Sequence, residues 1–567
     1  LWAVLAAANG ALALPFVLLA PAARAQPTAE RRRVTVDADT DSLLAGFRFR
    51  SIGPAGMGGR VDDIEVAPSD PNVIYVGYAT GGVFKSVNNG TTFAPIFETY
   101  ASASIGDLAV DPRNPDIVYV GTGEANNRQS SSFGDGIYKS TDGGRSFVNI
   151  GLRETQTIAR IVIDPRDPDV LYVAAPGHLF GPNAERGLYK TTDGGKSWAR
   201  IKYIDAYTGF TDVVLDPSNS DIVYAASYQR VRTSCCYNGG GPGSALWKSV
   251  DGGASWTKLT RGLPAGPYGR IASDVSRADP RVVYAQIEAG ESVLMARGDG
   301  ADTATLRALR PRPDDAGIYH TSAGGDAARY WCNNGVAKPA IGAGRRENVP
   351  PNARPVLDSS QSGVFRSTDG GLTWTAVSNC DERPLYFSQV RADPRDPDVV
   401  YVSGGSLARS TDGGRTFVSV PIEHSDSHAL WIDPANSKHL INGNDGGIDI
   451  SYDGGLTWDV VTSLATAQAY SVSADFDRPY HVFIGLQDNG SWRGPSSKRG
   501  RNGILNSDLF KLSCIGDGFV TAVNRDRANI AYCEGQDGNA ERVDLAAGRT
   551  ANIDPLSGPV MRESPPV

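Results

Sequence analysis

Short apolar stretches alternate with clusters of Gly, Pro, Asp and Asn along almost the whole chain, the pattern of strands joined by tight turns. One unit illustrates it. Arg160-Ile161-Val162-Ile163 reads as a first strand, Asp164-Pro165 opens a turn, and Val170-Leu171-Tyr172-Val173 reads as a second strand. A third strand, Gly187-Leu188-Tyr189-Lys190, leads into a hairpin turn at Thr191–Trp198, and a fourth strand starts at Trp198.

The turn is a repeat. The octapeptide Ser/Thr-x-Asp-x-Gly-x-Ser/Thr-Trp/Phe occurs at Ser140–Phe147, Thr191–Trp198, Ser249–Trp256, Ser367–Trp374, Ser410–Phe417 and Ser451–Trp458, with a degenerate copy at Ser86–Phe93 in which Asn88 replaces the Asp. A second signature, Asp-Pro-x-x-Pro-x-x-aliphatic-Tyr, precedes the boxes, as at Asp111–Tyr119, Asp164–Tyr172, Asp216–Tyr224 and Asp393–Tyr401, with looser versions ending at Tyr75, Tyr284, Leu440, Phe483 and Tyr532. Four short antiparallel strands recurring every 41–58 residues make one propeller blade per unit. Within the box, Gly supplies positive φ, the Asp accepts backbone N–H groups, and the Trp or Phe fills the gap between sheets. Asp142, Asp193, Asp251, Asp369, Asp412 and Asp453 are therefore expected to be structural.

These octapeptides are Asp-box, or BNR, repeats. On them the chain resembles exported bacterial proteins of the sortilin/Vps10-like "glycosyl hydrolase" group and, more distantly, xyloglucanase-type tandem propellers, over about Phe47 to Asp554. The expected fold is all-β: a seven-bladed propeller over 47–464, followed over 465–567 by the first blades of a second propeller that is incomplete at its C-terminus. The alternative is one ten-bladed sortilin-like ring, also incomplete. The motif specifies a propeller and leaves the activity open, because enzymes and non-enzymatic adaptors both carry it.

Composition narrows the function classes. Glycine is abundant at 65 of 567 residues, and 55 basic against 63 acidic side chains give a net charge of −8, without the basic footprint of a nucleic-acid binder. An apolar leader ending in Ala23-Arg24-Ala25 reads as a signal peptide over 1–25 whose start is truncated, and 26–46 as a polar linker. The mature chain then has no transmembrane span, and the protein is expected to be exported: periplasmic, cell-surface or secreted. Export exposes the six cysteines to oxidising conditions. None lies in a CxxC spacing, so no metal or cofactor is expected. Cys514–Cys533 and Cys332–Cys380 are the expected disulfides, and adjacent Cys235 and Cys236 have no assigned role.

Site candidates follow from propeller geometry. The strand-two to strand-three connections lie opposite the boxes and vary in length, with long ones at 122–135, 175–186, 228–244, about 288–362 and 487–507. Loops of this kind are expected to ring a pocket over the channel. The innermost strands should bring Asp63, Asp107, Arg160, Asp212, Ala272, Gln389 and Ala429 to the channel, with an apolar layer one residue later. Asp63, Asp107 and Asp212 beside Arg160 form a candidate carboxylate cluster in which like charges raise one pKa; the competing reading is that they hydrogen-bond neighbouring blades. Glu124, His178 and Asp488 lie on the insertion side, and His424 and His428 precede a first strand on that face. The histidine spacing suits a metal only on a helix, and this segment reads as loop.

The xyloglucanase resemblance implies two aspartates acting across a cleft. Ala79, in Gly77-Tyr78-Ala79-Thr80-Gly81-Gly82, stands where the first belongs, and Asp517 in Gly516-Asp517-Gly518-Phe519 matches the second. Sialidase activity is disfavoured, since Arg60, Arg160 and Arg270 do not share one ring position. Two functions stand: a propeller binding a glycan or a protein or peptide ligand on its insertion-rich face without catalysis, or a glycoside hydrolase using a non-standard pair from Asp63, Asp107, Asp212 and Asp517.

Overall fold

The computed structural model describes residues 50, 52–53, 58–128, 131–232, 237–290, 357–382, 385–387 and 389–554. The expected signal peptide and most of the linker, most of the insertion that starts near 288, and Cys235, Cys236 and Cys332 lie outside these residues.

Among the described residues, nine four-stranded antiparallel sheets follow one another along the chain, each a meander, with one two-stranded ribbon, Val231–Arg232 against Tyr237–Asn238. The innermost strands of sheets one to seven are Val61–Val66, Ile105–Val110, Arg160–Asp164, Thr208–Asp216, Tyr268–Val275, Gln389–Ala392 and Ala429–Ile432. Those of sheets eight and nine are Ala469–Ala474 and Thr521–Val523.

A separate apolar seam fills each contact between successive sheets from one to seven. A further seam joins sheet seven back to sheet one: Val61, Ile64, Tyr78 and Phe84 pack with Ala429, Ile441, Ile448 and Ile450. Full burial of such side chains contributes about 1.5–3 kcal/mol each, and sheets eight and nine share a seam of their own around Phe483, Leu512 and Ala531. The layer expected beneath the channel ring, Ile64, Leu108, Ile161, Val213, Val390 and Leu430, sits in these seams.

The octapeptide turns are built alike. In the second sheet Asp142 Oδ1 accepts the Ser146 N–H at 2.8 Å and the Ser140 hydroxyl at 2.8 Å, while Oδ2 accepts the Ser146 hydroxyl at 2.6 Å. Asp193, Asp251, Asp369, Asp412 and Asp453 repeat the pattern. The Ser255 hydroxyl and N–H hold the Asp251 carboxyl down to about 2. Asn88 keeps the main bond, its Oδ1 accepting Thr92 N–H at 3.0 Å. Gly144 takes φ 85° in this turn, and a Cβ there would lie 2.8 Å from Ile96 of the preceding sheet.

A third-strand lysine fastens each of the first four sheets to the next turn. Lys85 Nζ donates to Gly143 O at 2.7 Å, Lys139 to Gly194 O at 3.0 Å, Lys190 to Gly252 O at 2.8 Å and Lys248 to Gly370 O. Each ammonium also lies over a second-strand tyrosine of its own sheet, Tyr75, Tyr119, Tyr172 and Tyr224.

One expected insertion is misplaced. In sheet eight the second and third strands, His481–Leu486 and Gly490–Pro495, are joined by a tight turn at 487–489. The long segment lies after Pro495, before the fourth strand Phe510–Lys511, on the same side as the octapeptide turns. Ser491-Trp492-Arg493 continues the strand pattern and pairs with Phe483–Gly485, so the loop cannot begin at 487. Cys514 and Cys533 form a disulfide between sheets eight and nine. Cys380 is disulfide-bonded.

Candidate functional site

Asp63, Asp107, Arg160, Asp212, Ala272 and Gln389 line one polar cavity of about 40 Å³ in the channel, room for water. Ala429, the seventh expected member, packs in the seam between sheets seven and one. The aspartates tie their inner strands to the next ones in the series. Asp63 Oδ2 accepts Leu108 N–H at 2.9 Å, Asp107 Oδ2 accepts Ile161 N–H at 2.6 Å, and Asp212 Oδ2 accepts Ser273 N–H at 2.7 Å. Asp274 continues the series to Ala392 N–H at 2.8 Å. Arg160 Nη1 lies 3.3 Å from Asp107 Oδ1, and Gln389 accepts from Arg391. Burial and then the Asp63 charge push the Asp107 carboxyl above its usual range, and burial with Asp63 raises Glu65 to about 8.

Above this cavity the described insertions pack on one another, and most of the longest one lies outside the described residues. Arg230 donates to Ala125 O at 3.1 Å, Asn127 Oδ1 at 2.7 Å and Gly177 O at 3.3 Å, locking three loops together. Leu179, Tyr237, Leu385, Tyr386 and Phe387 make a small apolar core from three segments. The insertions are long enough to bury their own side chains. His178 is spent in this layer, its Nε2 2.9 Å from Glu154 O.

A buried ionic chain crosses the same layer. Arg60 Nη2 lies 3.0 Å from Glu124 Oε1 and Nη1 3.9 Å from Asp445 Oδ2, with both partners buried. His428 Nε2 lies 3.0 Å from Asp445 Oδ1. Burial lifts Glu124 to about 7 against the pull of Arg60. At Asp445 the opposite holds: against burial, His428 and Arg60 keep the carboxyl well below the usual range.

The chain ends at a partly accessible edge where sheets seven, eight and nine approach. Asp488, in the Gln487-Asp488-Asn489-Gly490 turn, has φ 57°, a left-handed conformation that aspartate tolerates better than most side chains. Burial, its hydrogen bond to Asp445, and the Asp517 and Asp426 charges push its carboxyl up to about 8. The shift favours the protonated form of Asp488 beside Asp445. Its backbone N–H donates to Asp517 Oδ1 at 2.9 Å, and His424 Nε2 lies 3.3 Å from its carbonyl oxygen. Beside them Tyr470, 40% exposed, stacks on Phe519 with ring centroids 5.1 Å apart and planes 3° off parallel.

Of the residues expected to bind or react, the structure thus gathers Asp63, Asp107, Asp212, Arg160 and Gln389 in the channel and Glu124 with His428 in the buried chain. Asp488 and Asp517 meet at the open edge. Sequence reasoning missed Arg60, Asp445 and Tyr470. Asp445 carries a readable signal: it sits in Asn444-Asp445-Gly446-Gly447, the strand-two to strand-three turn of sheet seven, where Asp488 sits in sheet eight.

Residues 135–293 match the family described as Sortilin-Vps10 (sortilin, neurotensin receptor 3). A probable oligoxyloglucan-reducing end-specific xyloglucanase of Neosartorya fischeri is 25% identical over 251 residues, 41% of this chain and 25% of that protein. A xyloglucanase of a Paenibacillus species is 26% identical over 256 residues, 41% of this chain and 22% of that protein. The matched stretches thus span about a quarter of those relatives' length. Among solved structures, the GH74 xyloglucanase of Xanthomonas campestris aligns with a TM-score of 0.51 at 15% identity, covering 90% of this chain and 75% of that one. The GH74 enzyme of Niastella koreensis aligns at 0.53 and 16%, covering 88% and 67%. At these identities the structural likeness is one of fold: the chain is an all-β protein of propeller type, similar to xyloglucanases and, over one stretch, to sortilin.

Proposed function

We propose that this is an exported propeller protein that binds a polysaccharide, with its working surface at the edge formed by Tyr470, Phe519, Asp488 and Asp517. In this reading sheets one to seven, 47–464, form one seven-bladed ring built on Asp-box turns, and 465 onward begins a second propeller. The observation that carries it is the exposed Tyr470 ring, stacked flat on Phe519 beside two carboxyl groups. An aromatic face packs the apolar C–H face of a pyranose while adjacent carboxyls bond its hydroxyls. The likeness to xyloglucanases supports a glucan backbone as the ligand class. The test is affinity electrophoresis of the full chain in gels containing xyloglucan or other plant and bacterial polysaccharides. Retardation should weaken about tenfold, or ~1.4 kcal/mol, in Tyr470→Ala without change in thermal stability. No retardation in any polysaccharide, or none lost in Tyr470→Ala, overturns the proposal.

A hydrolase reading has one specific support: burial and neighbouring carboxylates raise Asp488, the direction a general acid requires, and its N–H donates to Asp517. Asp63, Asp107 and Asp212 are tied to backbone N–H groups, which moves the candidate pair to Asp488 and Asp517. New reducing ends released from xyloglucan, and lost in both Asp488→Asn and Asp517→Asn, establish catalysis.

A further inference from the structure

We propose that Asp475, Asp477 and His481, gathered in the strand-one to strand-two turn of sheet eight, form a binding site for a divalent transition-metal cation of the zinc type. The proposal is independent of the polysaccharide reading, since these residues lie at the opposite ends of the strands from Asp488.

The three donor atoms lie within 4.8 Å of one another. His481 Nδ1 is 2.8 Å from Asp475 Oδ2 and 3.8 Å from Asp477 Oδ2. Zinc bonds of about 2.0–2.2 Å to nitrogen and carboxylate oxygen put tetrahedral ligand atoms roughly 3.3 Å apart, between these two separations. One imidazole and two carboxylates suit zinc or its neighbours, whereas calcium asks for six or more oxygens. Asp475 is already aimed: its Oδ1 accepts His481 N–H at 2.8 Å and Asp477 N–H at 3.2 Å, leaving Oδ2 toward the histidine. Asp475 is buried, while Asp477 and His481 reach solvent, so a cation has an entry side.

The sister turns supply the second observation. Those of sheets two, three, four and six open with the same aspartate, but two residues on stand Arg113, Arg166, Ser218 and Arg395, and six residues on stand Ile117, Val170, Ile222 and Val399. Arg166 there forks onto Asp164, its Nε 3.3 Å from Oδ1 and its Nη2 3.0 Å from Oδ2. Ser220 and Ser437 of the following turns also donate to Asp164 and Asp393. In sheet eight the cation position holds Asp477, the aliphatic position holds His481, and the position equivalent to Ser220 and Ser437 holds Ala528. A guanidinium and a hydroxyl have thus been exchanged for a second carboxylate and an imidazole around the same buried aspartate. Among the described residues, His481 is the ion-pair partner of both aspartates. The exchange takes the guanidinium off this aspartate, the nearby Arg525 lying over Phe476 instead, and leaves a donor set that a metal dication neutralises. Sheet seven is an internal control: His439 Nδ1 lies 3.2 Å from Asp433 Oδ2, but the third position is Ala435 and the ring stacks on Tyr452.

The experiment is titration of the untagged full chain, stripped with chelator, with Zn(II) by calorimetry and with Co(II) by visible absorption. One equivalent should bind with a dissociation constant of about 10 µM or tighter, with d–d bands of four- or five-coordinate cobalt. His481→Ala and Asp477→Asn should each weaken binding at least tenfold, and His439→Ala should leave it unchanged. Asp477 is half exposed, so Asp477→Asn keeps the test open should His481→Ala fail to fold. Absence of a single site of that affinity, insensitivity to Asp477→Asn, or loss of binding in His439→Ala overturns the proposal.

Discussion

Replacing Arg60 by Met tests the buried ionic chain directly. The guanidinium lies 3.0 Å from Glu124 and 3.9 Å from Asp445. At an effective dielectric constant of about 20 these contacts correspond to attractions of roughly 5.5 and 4 kcal/mol. Most of that is offset by the desolvation of three buried charges, which is why the intact set is not a large net stabiliser. Removing only the arginine is different, because it leaves Asp445 and Glu124, the latter already raised to about 7, buried without their common partner. The expected cost is about 3–5 kcal/mol. Removing Glu124 as well, in Arg60→Met/Glu124→Gln, withdraws one orphaned charge and should recover part of the loss, a coupling of about 0.5–3 kcal/mol. The assay is urea unfolding of wild type, Arg60→Met, Glu124→Gln and the double variant, followed by tryptophan fluorescence and far-UV dichroism. Coincidence of the two probes licenses the free energies. A single-variant cost below about 1 kcal/mol, or strictly additive losses, refutes the claim that Arg60 neutralises this layer.

Two further predictions follow from other sites. Asp488 has its folded-state pKa raised from 3.8 to about 8. Between those values the native state holds a proton the unfolded state lacks, so this group's contribution is complete below pH 4 and is lost as pH rises toward 8. The limiting slope is about 1.4 kcal/mol per pH unit. Asp488→Asn, which mimics the protonated form, should flatten the fall in melting temperature between pH 6 and 9; an unchanged profile contradicts the assignment. Gly106→Ala should lower stability by about 1–3 kcal/mol in urea unfolding, because a Cβ there would stand 2.1 Å from Ile158 O and 2.3 Å from Gly123 O, backbone atoms that cannot step aside. A variant as stable as wild type would mean that the first strand of sheet two does not approach sheet three as described.

Much of the architecture could be read before the structure, because the repeat writes its own geometry. A turn that needs Gly at positive φ, a carboxylate acceptor and an aromatic plug admits few sequences, so each copy announces a hairpin. The channel residues were legible for the same reason: counting back from the Asp-Pro turn fixes which side chain faces inward, and Asp63, Asp107 and Asp212 arrive together. That they bond neighbouring blades was the competing reading, and the structure bears it out, but nothing in a strand's alternation says which N–H each aspartate reaches. The insertions were hardest. Arg60, Glu124 and Asp445 come from three distant segments, and their meeting depends on loop conformations without periodicity. The boundary near 487 failed because Trp492 and Arg493 still alternate like a strand while the polar Gln487-Asp488-Asn489-Gly490 turn before them resembles the start of a loop.

The lysine fastening has a mechanical consequence. Along the first four sheets every third strand grips the turn that follows, so pulling one sheet outward loads its neighbour through a charged group as well as through apolar contact. In sheet eight the third-strand cation is Arg493, which lies over Phe483 of its own sheet. The eighth and ninth sheets are held instead by their disulfide, a serine–threonine bond and backbone bonds such as Gly518 N–H to Leu486 O. Under reducing conditions this pair is where fraying starts, and amide exchange should speed up there before it does at the clasped end.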